Sequence, residues 1–391
     1  MNHFTAIELP SAQALLDDYH SQHPFFFASP EQTLLAQGHY ASVPAADNLL
    51  ALSEAVSTAL KQARENGHPH PIVVGAIPFD SDQAACLTIP QVVLKAGRLP
   101  PQAWSDAGAL NYRITAEPAP QVYADGVAAA VARLKEQQLS KVVLARTLNL
   151  SADQDINVGY LLQRIVSANT QGYTFAVNLD ASEQGTLIGG SPELLLSRNG
   201  AQIRSMPLAG SAARTVQDDA ATAAALLQSG KDLHEHQVVA DAVAAGLRPF
   251  CTSLTVPASP SLLSTATMWH LASDIRGQLA DLSMSALHLA AHLHPTPAVC
   301  GYPNQAARDL IAEIEPFERG FYTGMVGWCD EFGNGEWIVT IRCATVKEKQ
   351  LRLFAGAGIV ADSQPHSELA ETTAKFKTML NALGVAHEGV L

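Results

Sequence analysis

Basic residues are scarce in this chain: 24 Lys and Arg stand against 37 Asp and Glu, a formal net charge of −13. A nucleic-acid partner needs a basic stripe, so the composition argues against one. Cysteine is sparse as well. The five cysteines, Cys86, Cys251, Cys300, Cys329 and Cys343, are odd in number, widely spaced and form no CxxC pair. They suggest neither a disulfide framework nor a structural zinc site, and a reduced, cytoplasmic setting fits. Long apolar runs are missing too: a stretch such as 127–132 falls far short of the roughly 20 residues of a membrane span. The first thirty residues hold Glu8, Asp17 and Asp18 and no basic segment ahead of an apolar one, so no secretory signal is expected.

What is left is core material. Of 391 residues, 47% are apolar and 16% charged, enough for two domains or one large unit at roughly 150 residues per domain. The acidic balance also sets a condition on function. An anionic substrate has to find local positive charge against the global field. Its site should therefore contain a cation or several Lys and Arg side chains.

The first 115 residues read as irregular α/β material, with a helix expected over 46–65 and a buried strand over 71–78. Segment 98–120, with four prolines, suits a surface connection. From 116 to 391 the pattern sharpens. Helix is expected over 122–138, strand over 141–150, further strands within 172–177 and 185–198, and one long helix over 218–247. Segments 335–346 and 350–360 suit a β-hairpin across Lys347-Glu348-Lys349, and 367–383 a closing helix. Strands outnumber what a βαβ alternation would give, so an α+β layered fold is expected, with both parts in one compact domain.

Three signals fail on physical grounds. His234 and His236 flank Glu235, but side chains of neighbouring helix residues point about 100° apart, so the two imidazoles cannot chelate together, and HExxH is absent. Gly356-Ala357-Gly358 lacks the third glycine of a dinucleotide fingerprint. The histidines between His288 and His294 fit core or surface positions as well as any chemical role.

Other residues carry more. Asp232 and Glu235 share a helix face, as do Glu368, Glu371 and Lys375. A solvated face explains either set alone, yet carboxylates from two separate elements are what a hard cation such as Mg²⁺ uses. Lys141 opens an apolar strand and is either a snorkelling edge lysine or a partly desolvated base. Glu193 follows Gly189-Gly190-Ser191-Pro192 and precedes three leucines. It is either a solvated turn carboxylate or an acid whose pKa burial has raised. Arg342, in WIVTIRCA, is either a solvent-facing strand residue or a bidentate carboxylate ligand. Spacing alone goes no further than one cation site and one acid–base pair.

Taken in order, these segments resemble the chorismate-utilising enzymes, and within them the isochorismate synthases of catecholate siderophore (2,3-dihydroxybenzoate) pathways. The matching blocks include FFFASP at Phe25, VVGAIPFD at Val73, KVVLAR at Lys141, GGSPELLL at Gly189, PLAGSAAR at Pro207 and KDLHEH at Lys231. They continue with WHLAS at Trp269, LHPTPAVCGYP at Leu293, EPFERGFYTGMVGW at Glu315, GEWIVTIRCA at Gly335, LFAGAGIVADS at Leu353 and ELAETTAKF at Glu368. The resemblance implies a single α+β fold with a β-sandwich core flanked by helices. It implies Lys141 as the lysine that activates water, Glu193 as the general acid, and Glu235 and Glu371 as Mg²⁺ ligands. Arg342, Lys375, Ser211 and backbone N–H groups near Gly210 and Gly356 would contact substrate carboxylates, with His270 beside the ring carboxylate.

The implied reaction is Mg²⁺-dependent conversion of chorismate to isochorismate, by a monomer in the cytoplasm with neither nucleic acid nor membrane as partner. Salicylate formation and menaquinone-pathway isochorismate synthesis are the alternatives. A scaffold relative without activity is disfavoured, because Lys141, Glu193, Glu235 and Glu371 are all present. The chain departs from the family pattern at Gly230-Lys231-Asp232-Leu233, where Glu-Lys-Asp-Arg is usual, and at Ala213-Arg214, where Arg-Arg is common. These changes touch the surroundings of the metal helix rather than the proposed catalytic set.

Overall fold

Three consecutive phenylalanines show how the core is built. Side chains alternate across a strand, so Phe25 and Phe27 enter one apolar cluster with Phe175, Leu187, Val326 and Ile338, while Phe26 enters another with Leu35, Leu162 and Phe376. A run that is apolar at every position therefore belongs to a strand buried on both faces. The computed structural model describes residues 10–101, 110–137, 139–179, 185–215 and 217–385.

Two large antiparallel sheets share the cluster of Phe25 and Phe27. Among the described residues, the first has ten strands in the order Gly301–Tyr302, Lys141–Ala152, Gln350–Ile359, Cys343–Lys347, Thr186–Ser191, Tyr173–Asn178, Phe25–Ala28, Gln32–Gln37 and Val92–Gly97. The tenth, Tyr112–Glu117, pairs with the far half of Lys141–Ala152. The second sheet has nine: Cys251–Thr255, Ile275–Leu279, Gln202–Met206, Leu194–Asn199, Gly335–Val339, Met325–Asp330, Ile72–Ile77, Cys86–Ile89 and Ala41–Ser42. A small third sheet joins Leu208–Ala213, Met268–Ala272 and Ser261–Ser264.

Helices cover the outer faces. Val158–Ala168 and Pro365–Leu383 pack on the first sheet through Leu161, Leu162, Ile165, Phe376 and Met379. Leu49–Glu65 and Ala286–Leu293 cover the second through Leu52, Val56, Leu287 and Leu289, around the fully buried Trp337. Each such side chain contributes about 1.5–3 kcal/mol of burial relative to exposure. Local chemistry sets the helix ends. Asn48, Asn157 and Ser285 each accept a backbone N–H three residues on, and Pro365 opens the last helix, whose end is Gly384 in the left-handed region (φ 70°).

The β-sandwich flanked by helices expected from the sequence is observed, and so is the hairpin across Lys347-Glu348-Lys349, with Lys347 opposite Gln350. Four expectations change. The helix expected over 218–247 is two, Asp219–Leu226 and Gly230–Leu247, because the Ser229 hydroxyl accepts the Asp232 N–H and starts a new helix there. The connection at 98–120 includes the strand Tyr112–Glu117; residues 102–109 of it lie outside the described residues, as does Gln138 at the end of the helix expected over 122–138. That helix runs Pro120–Lys135. Segments 185–198 and 335–346 are not continuous strands. Each leaves one sheet and enters the other, around Pro192-Glu193 and around Thr340 to Arg342.

Candidate active site

The two crossings between sheets lie against each other. Gly190 N–H donates to the Arg342 carbonyl (3.0 Å), Val339 N–H to the Glu193 carbonyl (3.2 Å), and Ser191 Oγ to the Val339 carbonyl (2.7 Å). Arg342 has φ 51°, a left-handed conformation that costs a non-glycine residue roughly 1–2 kcal/mol. Such strain persists where surrounding bonds over-determine it. The crossings turn Glu193 and Arg342 out of the sheets' regular alternation and into one pocket.

Nine of the ten residues proposed from the sequence line that pocket: Glu193, Gly210, Ser211, Glu235, His270, Arg342, Gly356, Glu371 and Lys375. The tenth, Lys141, lies directly behind Glu235, with Nζ 3.0 Å from Glu235 Oε1. Burial decides what spacing left open. Lys141 is 0% exposed, Glu193 3% and Arg342 6%, so none of them is a solvated edge or turn residue.

Electrostatics sets Glu193 and His270 apart from their neighbours. Burial raises the Glu193 carboxyl to about 7, against the opposing N–H of Leu208 (3.4 Å) and the charges of Lys141, Arg342 and Lys375. A carboxyl poised there can donate a proton near neutral pH. Burial, then Arg342 and Lys375, hold the His270 imidazole well below its usual range. A neutral ring whose Nε2 accepts from Arg342 Nη2 at 3.4 Å fits that surrounding.

Three lysines and three carboxylates interlock beside the pocket. Lys141 pairs with Glu235, Lys375 with Glu371 at 2.6 Å and Lys231 with Glu368 at 2.7 Å. Ser211 Oγ also donates to Glu371 (3.0 Å), and Lys375 to the Gly356 carbonyl (2.7 Å). Burial alone would push the Glu371 carboxyl up, but Lys375, Lys231 and the Ser211 hydroxyl hold it below its usual range. Glu368 moves the other way, raised by burial and by the charge of Glu371. The three pairs balance one another in charge, so the Arg342 guanidinium is the cation left to meet an anion at this pocket.

The donors fit a hard divalent cation. Glu235 and Glu371 bring carboxylate oxygens from separate helices to one pocket. Gly358 leaves the space beside them open, since a Cβ there would collide with Glu235 Oε1. No group of three or more His, Cys, Asp or Glu stands at metal-binding distance among the described residues. A cation held here would therefore keep positions for water and a substrate anion, as Mg²⁺ prefers. The rejected His234 and His236 stay rejected: His236 is buried against Ala209 O and Ser273 Oγ and faces away from any shared ligand position. His288 and His292 pack on Phe250, and His294 Nε2 donates to the Phe79 carbonyl.

Sequence reasoning missed two supports. Lys231 received no role, although it stands four residues before Glu235 in KDLHEH and bonds Glu368. Glu315 and Arg319 in EPFER form a buried pair whose guanidinium also donates to Val143 O (2.7 Å) and Val299 O (2.8 Å), while Glu315 accepts from Ala145 N (2.8 Å). The i, i+4 spacing of opposite charges was the signal in the second case. That pair takes the place of a neighbouring strand beside Val143 and Ala145 and fixes the pocket wall at Val143 and Val299.

The pocket is small, about 50 Å³, against the roughly 300–1,000 Å³ usual for ligand sites. Any ring-sized substrate must displace side chains from it, and the Lys375–Glu371 pair lies in the way. A larger cleft of about 690 Å³ opens elsewhere, at Tyr173, Trp328 and Glu336. Its arginines are already engaged, Arg204 and Arg276 with Asp274 and Arg198 with the carbonyls of Gly200, Met284 and Leu282, and none of the ten candidate residues lines it.

Relatives carry the same reading. The sequence profile described as chorismate binding enzyme matches residues 94–384. The isochorismate synthase DhbC of Bacillus subtilis is 52% identical over 388 residues, covering 96% of this chain and 97% of that protein. The vibriobactin-specific isochorismate synthase of Vibrio cholerae is 42% identical, covering 97% and 96%. A solved structure assigned as the 2,3-dihydroxybenzoate-specific isochorismate synthase DhbC of Bacillus anthracis superposes with a TM-score of 0.91 at 47% identity, over 96% of this chain and 100% of that one. Anthranilate synthase component I of Streptococcus pneumoniae, 18% identical with a TM-score of 0.69 over 97% and 95%, shares the fold. This chain therefore belongs to the chorismate-binding enzymes.

Proposed function

We propose that the protein is an isochorismate synthase of siderophore biosynthesis, adding water to chorismate at C2 as the C4 hydroxyl leaves. The observation that carries this reading is a buried carboxyl, Glu193, raised to about 7 in a pocket that also holds Arg342 and Lys375, with the buried Lys141 against Glu235 of the same pocket. Lys141 takes a proton from the attacking water. Glu193 gives one to the departing C4 hydroxyl while the ring double bonds shift. Arg342 and Lys375, with backbone N–H groups near Gly210 and Gly356 and the hydroxyl of Ser211, hold the carboxylates, and neutral His270 lies beside the ring carboxylate. Bound Mg²⁺, held by Glu235 and Glu371, would draw electron density from the ring and neutralise its carboxylate. The enzyme acts in this reading as a cytoplasmic monomer. No helix among the described residues is long and apolar enough to cross a membrane.

Purified protein given chorismate and Mg²⁺ is expected to release isochorismate with little pyruvate, and excess chelator should abolish turnover. Chromatography of the product with a lactate-dehydrogenase coupled assay checks both. Pyruvate released in step with chorismate loss would make the protein a salicylate synthase instead. Full activity in chelator would remove Mg²⁺ from the reading. Arg342→Lys is expected to raise KM and lower kcat, because an ammonium cannot reproduce two parallel hydrogen bonds to a carboxylate and a misplaced ring misaligns the proton carriers. Unchanged steady-state kinetics in that variant would take Arg342 out of substrate binding.

A further inference from the structure

Arg146 is a buried charge that the reaction does not use. It is 0% exposed, and no carboxylate among the described residues pairs with it. Side chains alternate along its strand, Lys141–Ala152. Val143 lines the reaction pocket, while Val142 and Leu144 pack on the other face with Tyr123 and Val127. Arg146 follows them to that helix-covered face. Its guanidinium meets two aromatic rings there, 5.9 Å from the centre of Tyr123 on the helix Pro120–Lys135 and 5.2 Å from that of Phe376 on the last helix. Nε donates to Thr372 Oγ1 (2.9 Å) and Nη2 to Thr373 Oγ1 (2.6 Å). Nη1 has no hydrogen-bond partner among the described residues.

A buried cation without a counter-charge is costly, so a neutral side chain would serve better if packing were all that this place required. What no neutral side chain supplies is the rigid fork of donors. Successive residues of a helix point in different directions, 3.6 to the turn. A fork that grips both Thr372 and Thr373 therefore fixes the rotation of the helix about its axis as well as its distance from the sheet. Phe376, Met379 and Leu380 press the same helix onto the sheet, but apolar contact is non-directional. Glu371 and Lys375 depend on that rotation. Both line the reaction pocket from this helix. Side-chain tips lie roughly 5–6 Å from a helix axis, so a turn of about 10° moves them by roughly 1 Å. We infer that Arg146 is a positioning residue: its grip on Thr372 and Thr373 holds the last helix at the rotation that brings Glu371 and Lys375 to the pocket. The inference rests on reading those two residues as the Mg²⁺ and substrate contacts.

Arg146→Lys tests the inference, since an ammonium keeps the charge and cannot reproduce the fork. The expected result is a rise of about tenfold in the calorimetric Kd for Mg²⁺ and in KM for chorismate, the scale of one lost hydrogen bond. Lys141, Glu193 and Arg342 stand outside this helix, so kcat at saturating Mg²⁺ and chorismate should fall by less than about threefold. Thr372→Val combined with Thr373→Val keeps the shape and removes both acceptors. It should move Kd and KM in the same direction, and it is read by the same criteria should Arg146→Lys fail to fold. Met379→Ala takes apolar packing from the same helix without touching the fork. It should lower the melting temperature and leave Kd and KM within about twofold of the parent. A folded Arg146→Lys enzyme with parental Kd and KM, whatever its melting temperature, overturns the inference. So does a Met379→Ala enzyme whose Kd and KM shift as far, which would make the effect a general loosening of the helix. A parent enzyme that neither binds Mg²⁺ nor consumes chorismate would remove the functional reading, and the inference with it.

Discussion

Glu193→Gln is expected to lower kcat by roughly 10²- to 10⁴-fold, the range for losing a positioned acid, while KM for chorismate changes little. The amide keeps the shape of the carboxyl and loses only its proton. Because burial raises Glu193 to about 7, the parent enzyme's kcat/KM should fall with rising pH above that value, as the acid is lost. The Gln variant should show no such limb. Stability runs in a direction that makes the control clean. A carboxyl raised in the folded state loses stability for the fold as pH climbs from its unfolded value toward 7, so the Gln variant should melt no lower than the parent at pH 8. Parental kcat, or an unchanged basic limb, would show that another group supplies the proton.

Lys141→Met is expected to be at least as severe for turnover, about 10²-fold or more in kcat, and it should also cost stability. Methionine fills much the same volume, but Glu235 is left buried and charged without its partner. Breaking one side of a buried pair costs on the order of 3–5 kcal/mol. Adding Glu235→Gln to that variant should recover much of the melting temperature and none of the activity. Calorimetry and steady-state kinetics on the parent and the two variants separate the two roles. A Lys141→Met enzyme of near-parental kcat would make the lysine purely structural.

Much of the site was legible as residue types and little of it as geometry. Lys141, Glu193 and Arg342 each had two readings from spacing, and only burial chose between them. Arg342 shows why. WIVTIRCA alternates like one strand, yet the chain changes sheets within it, and periodicity is blind to which sheet a strand joins. The break before Gly230 hid for a related reason. A Ser-Gly step within alanine-rich sequence is a weak stop, and the Ser229 side chain decides it through one bond to Asp232. The pairing of Lys231 with Glu368 spans two helices distant in sequence, so no local pattern could announce it. The α+β layering was legible in the surplus of strands, and the sandwich came only with the family resemblance, although runs such as FFFA and IVVGAI fit strands buried on both faces.

The pair of chain crossings has a mechanical consequence. Glu193 and Arg342 are carried at the points where the polypeptide steps from one sheet to the other, so the separation and tilt of the two layers set where the proton donor and the guanidinium stand. Packed interiors move as discrete arrangements rather than by smooth yielding. The reaction centre thus works as a gauge of sandwich alignment. A methylene lost from Phe27 or Val326, deep between the layers and in contact with no ligand, would be read out as chemistry first and as melting only afterwards.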